Sequence, residues 1–408
     1  MDRDGIRDAY KDIMAIGFLS TGMMALISFP RSLCLVDVGI SVAIYGLLIS
    51  ISNVFVCLFN IALGVVIDKY DGLEKVLNTS ILLSVLGHFT FAVTEKPQIL
   101  ALAFVLDTTA CKVFTTFIYK AIAAVSGDNY GANLGKFKIA GSVAWVLFAA
   151  TSGYIVSFFS FKILVVIVIG MGILKIFLLR RLFDFYHKIS HIKNQKTVKV
   201  PVVFSAGLIN LMFLYMLMQF QSNGGFSYLQ IFFSKDLGLD NIVSGYIISS
   251  SGFFEIFISV FVGKYCDISV KASQKAVIAG CALSAIRWLI LAESDSVVLL
   301  VFTQFLHGVM ICTINITFMS YLGRIVKEES LGTMMGIMGA ISSFGTIFGA
   351  GIFGFFSQRY TLKAAYTGLG VISVIGVLVY MLSEHIAASY KQTRYKRCLS
   401  KIRKEKGI

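Results

Sequence analysis

The sequence predicts an all-α polytopic membrane protein of twelve transmembrane helices in two six-helix bundles, and three observations carry that expectation. First, 57% of the 408 residues are hydrophobic and only 14% are charged, with a mean hydropathy of +0.82. A soluble domain needs about a quarter charged residues to cover its surface, so this chain is not one. Second, runs of about 20 apolar residues recur along the whole length, each long enough to span a bilayer as a helix. Third, Asp37, Gly39, Gly46, Gly64 and Asp68 each meet an identical residue 199 positions on, at Asp236, Gly238, Gly245, Gly263 and Asp267 (236 − 37 = 199). One offset held without a gap marks a scaffold built twice over.

Apolar runs and loop charge place the first six spans near 12–33, 42–67, 78–94, 97–119, 137–159 and 161–183. The second six fall near 203–223, 241–266, 274–292, 296–321, 332–357 and 361–383. The first run, from Ile13 to Phe29, follows a mixed-charge leader (Asp2, Arg3, Asp4, Arg7, Asp8, Lys11) and lacks a small-residue cleavage site. It therefore reads as a retained span rather than a signal peptide.

The fourth span holds Asp107 and Lys112, five positions apart and so pointing roughly 140° away from one another on a helix. Each needs a partner elsewhere or a wet cavity. The fifth opens with Lys136 and Lys138 and carries Trp145 on the same face as Lys138. Lys120, Lys136 and Lys138 all lie near a helix end, where snorkelling to the interface competes with a functional role. The sixth span closes on the polar stretch from Asp184 to Lys199, followed by Pro201 and forming the long interior break of the chain. The domain division expected from this is a bundle over 1–183, a linker over 184–202, a bundle over 203–383 and a basic tail over 384–408.

Glu255 stands near the middle of the eighth span, and its counterpart at the repeat offset is Val56 (255 − 199). The carboxylate is thus an asymmetric addition to a duplicated scaffold. An unpaired ionised carboxylate at membrane depth costs on the order of several kcal/mol. Glu255 is therefore paired, protonated or facing a wet cavity, and Arg287 in the next span is its expected partner. A purely structural Glu–Arg pair is the competing reading. For His307 in the tenth span, a core histidine bonded to a carbonyl competes with a role in proton transfer. Trp145 and Trp288 are the two tryptophans; Trp145 lies about two turns inside its span, away from the interfacial belt usual for Trp. A ring there suits a ligand with an apolar face and polar edges, and core packing is the alternative. The eleventh span is rich in glycine (Gly332, Gly336, Gly339, Gly345, Gly349, Gly351, Gly354), which permits close backbone approach at a moving or a static interface.

The formal net charge is +14, and its distribution matters more than its sign. The loops on the side of the termini hold about 27 Lys and Arg residues and the opposite loops about six, which is the positive-inside bias of a multi-pass protein in a bacterial-type cytoplasmic membrane. Both termini are then cytoplasmic, and the stretch from Lys391 to Lys406 is basic enough to lie on anionic lipid headgroups. No nucleic-acid partner is expected. The seven cysteines show no paired spacing, and no His/Asp/Glu cluster has metal-ligand spacing, so neither a disulfide framework, a metal, a cofactor nor a membrane enzyme is expected.

The stretch Gly64-Val-Val-Ile-Asp68-Lys69-Tyr-Asp-Gly72-Leu-Glu-Lys75 between the second and third spans resembles the signature loop of the major facilitator superfamily, with one extra residue between Lys69 and Gly72. Gly263-Lys-Tyr-Cys-Asp267 is a shorter second copy. Gly135-Lys-Phe-Lys138-Ile-Ala-Gly141-Ser-Val-Ala-Trp145 is similar to the fifth-helix motif of the lactose-permease and phenylpropionate-permease branch, to which nucleoside permeases are also similar in outline. Gly252-Phe-Phe-Glu255, Arg287-Trp288 and Gln304-Phe-Leu-His307-Gly308 match that branch's eighth, ninth and tenth helices in order.

The resemblance implies the major facilitator fold. It also implies secondary active transport by rocking of two bundles around a mid-membrane site. The solute would be small and polar, such as a sugar or oligosaccharide, a nucleoside or an aromatic carboxylate. It would be taken up with protons by a monomeric carrier; an exporter or antiporter is the alternative. By the same resemblance Lys138 hydrogen-bonds substrate, Trp145 stacks on it, and Glu255 contacts it and takes part in coupling. Arg287 and His307 belong to the network around the proton site. Two departures stand out. Where the sugar carriers have an acid in the fourth helix, this chain offers Tyr119 or Lys120. Where they keep a carboxylate three residues after the tenth-helix His, it has Met310. Glu255 is then the one acid left at the matched positions.

Overall fold

The computed structural model describes residues 3–66, 73–126, 130–190, 206–325 and 328–406. These form twelve long helices: α1 (Arg3–Asp37), α2 (Val42–Val66), α3 (Leu73–Val93), α4 (Pro97–Ser126), α5 (Tyr130–Phe158) and α6 (Phe161–Ser190). Then follow α7 (Ala206–Phe226), α8 (Asn241–Ile268), α9 (Val270–Glu293), α10 (Val297–Ile325), α11 (Glu328–Arg359) and α12 (Leu362–Lys406). A short helical segment, Leu229 to Asp236, sits between α7 and α8. Judged on the described residues, ten of the helices are long and apolar enough to cross a membrane.

The helix ends agree with the expected spans within a few residues at the end of the molecule that carries Asp37. At the end that carries the termini the helices run further, to Ser126, Ser190 and Ile325. Hydropathy marks the apolar slab, whereas a helix continues beyond it as long as its backbone bonds are closed internally. Their outward faces expose apolar side chains, such as Leu82, Leu86, Phe89 and Val93 on α3 and Phe253, Phe257 and Phe261 on α8. Such a surface suits lipid and not water.

The sequence repeat reappears as paired geometry. Among the described residues Gly39 and Gly238 are the two with positive φ, +94° and +65°. Gly39 closes α1 with Gly39 N–H donating to Val36 O and Ile40 N–H to Leu35 O, both at 3.0 Å. That is a Schellman closure, which needs a left-handed residue and therefore favours Gly. Gly46 brings α2 against α11 at Ala350 and Gly354, and Gly245 brings α8 against α5, where an added Cβ would lie 2.9 Å from Ala149 O. The two seams between the bundles are thus made by equivalent glycines.

Helices α1–α6 pack mainly on one another, as do α7–α12, and the main contacts between the sets are α2 with α11 and α5 with α8. Near Asp37 one apolar core crosses both sets, joining Phe29, Leu35 and Tyr45 to Tyr228, Phe232 and Phe353. Ser50 Oγ donates to Ile347 O at 2.6 Å and Tyr45 Oη to Ser227 O at 3.3 Å across the same region. An exposed Lys235–Asp37 ion pair at 2.7 Å lies outside it. Near the termini the core is divided. Ile13, Leu77, Ile122 and Leu182 form one cluster, and Leu208, Met218, Val277 and Met338 another.

Candidate functional site

Between the joined end and the divided end lies a cavity of about 500 Å³ with walls from both sets of helices. A volume of this order fits a small solute.

The wall from α1, α3 and α4 is built around Asp107, which is 2% exposed. Its carboxylate pairs in contact with the Arg31 guanidinium and accepts a hydrogen bond from Ser84 Oγ at 2.6 Å. His88 Nδ1 lies 3.2 Å from Asp107 Oδ1, and Cys111 Sγ lies 3.3 Å from the same oxygen. Arg31 also lies over the Phe104 ring, 4.6 Å from its centroid, a contact that stabilises a desolvated cation. One helical turn beyond Asp107, Lys112 Nζ donates to Asn53 Oδ1 at 3.0 Å. Lys175 of α6 also lines the cavity and is itself buried.

The facing wall comes from α5, α7, α8 and α10. Glu255 Oε2 accepts from Ser142 Oγ of α5 at 3.1 Å, and Lys138 on the same face of α5 is near enough to act on it electrostatically. Trp145 donates from Nε1 to Ile248 O at 3.4 Å. Its ring meets Phe29 edge-on at 5.7 Å and Phe226 at 5.9 Å. Phe226 in turn stacks on His307 at 4.4 Å and 12°. His307 Nδ1 is buried with no hydrogen-bond partner among the described residues.

The cavity therefore gathers Lys138, Trp145, Glu255, His307, Asp107 and Lys112. Asp107 and Lys112 do find separate partners, as their angular separation requires. Arg287 corrects an expectation: it is fully buried, but it does not pair with Glu255 and does not line the cavity. Its Nε donates to Thr303 O at 3.1 Å and its guanidinium lies 3.9 Å from the centroid of Trp288. The reason is helical facing. Helix α9 packs against α10 and α12 inside its own bundle, whereas Glu255 reaches across to α5. Tyr119 and Lys120 lie on α4, Gly64 on α2, and Gly263 and Asp267 on α8, with their side chains outside the described residues. Asp68, Lys69 and Gly72 lie outside the described residues altogether.

Sequence reasoning missed Arg31, Ser84, His88 and Lys175. The available signal was Asp107 itself, a buried acid in need of a cation, together with basic residues standing inside otherwise apolar spans. Among the described residues no three His, Cys, Asp or Glu side chains are grouped to hold a metal ion.

The family model described as Major Facilitator Superfamily matches residues 13–286 and 211–405. The chain belongs to that superfamily. It is accordingly a multi-pass membrane transporter and not an enzyme. The solved nucleoside transporter NupG is similar over 92% of this chain and 98% of its own, at 17% identity and a TM-score of 0.68. The human organic anion transporter MFSD10 (TETRAN) is similar over 93% and 100%, at 11% identity and 0.68. A bacterial homolog of the human lysosomal transporter Spinster, solved inward-facing and unoccupied, is similar over 94% and 98%, at 11% identity and 0.70. At such identities these likenesses speak for the fold alone. No curated protein matches the chain by sequence.

Proposed function

We propose that this transporter takes up a small polar solute through the central cavity by alternating access, in symport with protons. The observation that carries the reading is the position of Glu255. It belongs to α8 of the second bundle, yet its hydrogen bond goes to Ser142 on α5 of the first, and the nearby cation Lys138 is also on α5. A carboxylate's hold on a proton is set by the charges and donors around it. Rocking of 1–183 against 203–383 changes those neighbours, so Glu255 binds its proton differently in the two states. His307, on the same cavity, is suited to pass the proton on, and Trp145 offers a ring for the solute to stack on.

The surplus of Lys and Arg in the loops near the termini assigns that side to the cytoplasm of a bacterial-type inner membrane. The joined end is then external, and the site is closed to the outside. Reporter fusions at the segment 184–199 and at the C-terminus should both read cytoplasmic, and one near Asp240 external; an external central loop would sink this orientation. Coupling is tested by uptake into vesicles under an imposed pH gradient. Glu255→Gln should abolish uphill accumulation and leave exchange between equal pools measurable. Full accumulation by that variant would remove Glu255 from the mechanism.

A further inference from the structure

We infer that Arg287 on α9 holds a small inorganic anion of the halide class inside the second bundle. The site is separate from the central cavity and from Glu255, and it requires neither a direction nor a coupling of transport.

Arg287 is fully buried, and an arginine in a protein keeps its charge. Its contacts leave most of that cation unanswered. Nε donates to Thr303 O at 3.1 Å, while Nη1 and Nη2 have no hydrogen-bond partner among the described residues. Trp288 covers the guanidinium at 3.9 Å, and the Phe226 ring lies 5.9 Å away. A ring meets a guanidinium on its flat face, whereas the N–H bonds point outward in its plane. The rings therefore shelter the charge from water without using its donors. A buried charge is ordinarily paired and a buried donor ordinarily satisfied.

The neighbouring hydroxyls are committed elsewhere. Thr303 Oγ1 donates to Leu300 O at 2.6 Å and accepts from Gln304 Nε2 at 3.3 Å. Tyr366, stacked on Trp288 at 5.4 Å, donates its hydroxyl to Gly225 O at 3.0 Å. Ser284, three residues before Arg287, donates to Gln221 Oε1 at 2.8 Å. Gln304 Oε1 is buried without a partner, but it is not bonded to the guanidinium, and a neutral amide would leave the charge in place. Trp288 Nε1, on the ring that the guanidinium touches, is also buried and unpartnered, and an indole N–H can only donate. The surroundings thus lack a negative charge rather than another donor.

The same surroundings set the class of anion. Arg287 does not line the central cavity, so a bulky organic acid held there does not reach it. One guanidinium balances one charge, and a doubly charged sulfate would keep the second unbalanced among aromatic rings. A monovalent ion such as chloride or bromide meets both conditions.

The test uses the purified full chain in detergent, with sodium chloride, sodium bromide or sodium gluconate at matched ionic strength. A ligand of the folded state raises the melting temperature in a saturable way. Chloride and bromide should do so and gluconate should not. Arg287→Met should lose this response, and in gluconate it should melt no lower than the parent, because an unpaired buried cation has been removed. Arg287→Lys should keep part of the response. Crystals grown in bromide should show an anomalous peak beside the Arg287 guanidinium nitrogens. An arginine that merely packs on Trp288 and Thr303 would instead give the same melting difference between parent and Arg287→Met in all three salts. That result, a halide response that survives in Arg287→Met, or bromide crystals without a peak at Arg287 would each overturn the inference. A peak without any halide-specific rise in melting would mark an adventitious ion only and would overturn it too. The parent's melting and its bromide crystals decide even where Arg287→Met fails to fold.

Discussion

Asp107 and Glu255 are both carboxylates on the wall of one cavity, and they are held in opposite ways. Every described partner of Asp107 belongs to its own bundle: Arg31 on α1, Ser84 and His88 on α3, and Cys111 on α4. The described side-chain bond of Glu255 comes from Ser142, across the seam. A rigid-body motion of one bundle against the other leaves the first set of contacts intact and alters the second. A buried acid locked within one bundle is therefore part of the scaffold and shapes the site. A buried acid tied across the seam, as Glu255 is, would in the proposed rocking motion be placed to report which way the protein faces.

That contrast breaks or stands on stability measurements. The largest expected effect is that of Asp107→Asn, which leaves Arg31 buried without its counter-charge. Breaking a buried pair in this way costs about 3–5 kcal/mol, and the variant should melt well below the parent in detergent. Glu255→Gln keeps a hydrogen-bond acceptor for Ser142 and should differ from the parent by about 1 kcal/mol or less, even though coupling is lost. Equal melting of the two variants would erase the distinction between scaffold and switch. A smaller effect sharpens it. Trp145 touches Phe29 of the first bundle and Phe226 of the second, so its ring belongs to the seam as well as to the proposed solute site. Trp145→Ala should weaken solute binding by about 0.5–1.5 kcal/mol beyond the loss of buried area, and Trp145→Phe and Trp145→Tyr much less. Equal losses in all three would assign the ring to packing of the seam.

A comparable division separates the two ends of the molecule. Near Asp37 a shared apolar core and the paired glycines Gly46 and Gly245 hold the bundles together, whereas near the termini each bundle keeps a core of its own. The glycine half of this was visible in the repeat, because a residue needed for close approach at one seam is needed again at its copy. The division of the core was not visible. Ile13 and Leu48 look alike in a hydropathy profile, and only their neighbours differ.

The site was partly legible for a related reason. Lys138, Trp145, Glu255 and His307 stand in motifs that resemble those of known carriers, and all four line the cavity. Arg31 stands at the end of the first apolar run, where a cation is unremarkable, and its partner is 76 positions away. Arg287 looked like the partner of Glu255 because it is the cation of the next span. It turned out to face Trp288 and the Thr303 carbonyl inside its own bundle.

By itself the sequence determined the spans, their count and the repeat that returns as paired glycines, while the side of the membrane it assigns to the basic loops belongs to the proposal above. Each of these depends on sums or repeats along the chain, which need no knowledge of what lies beside a residue. Tertiary structure decided which polar groups meet. Successive residues on a helix point about 100° apart, and the rotation of each helix about its axis is set by packing. A polar side chain in an apolar run is therefore known to need a partner long before it is known which way it faces. For Asp107 that partner is Arg31, for Glu255 it is a hydroxyl across the seam, and for Lys112 among the described residues it is a neutral amide.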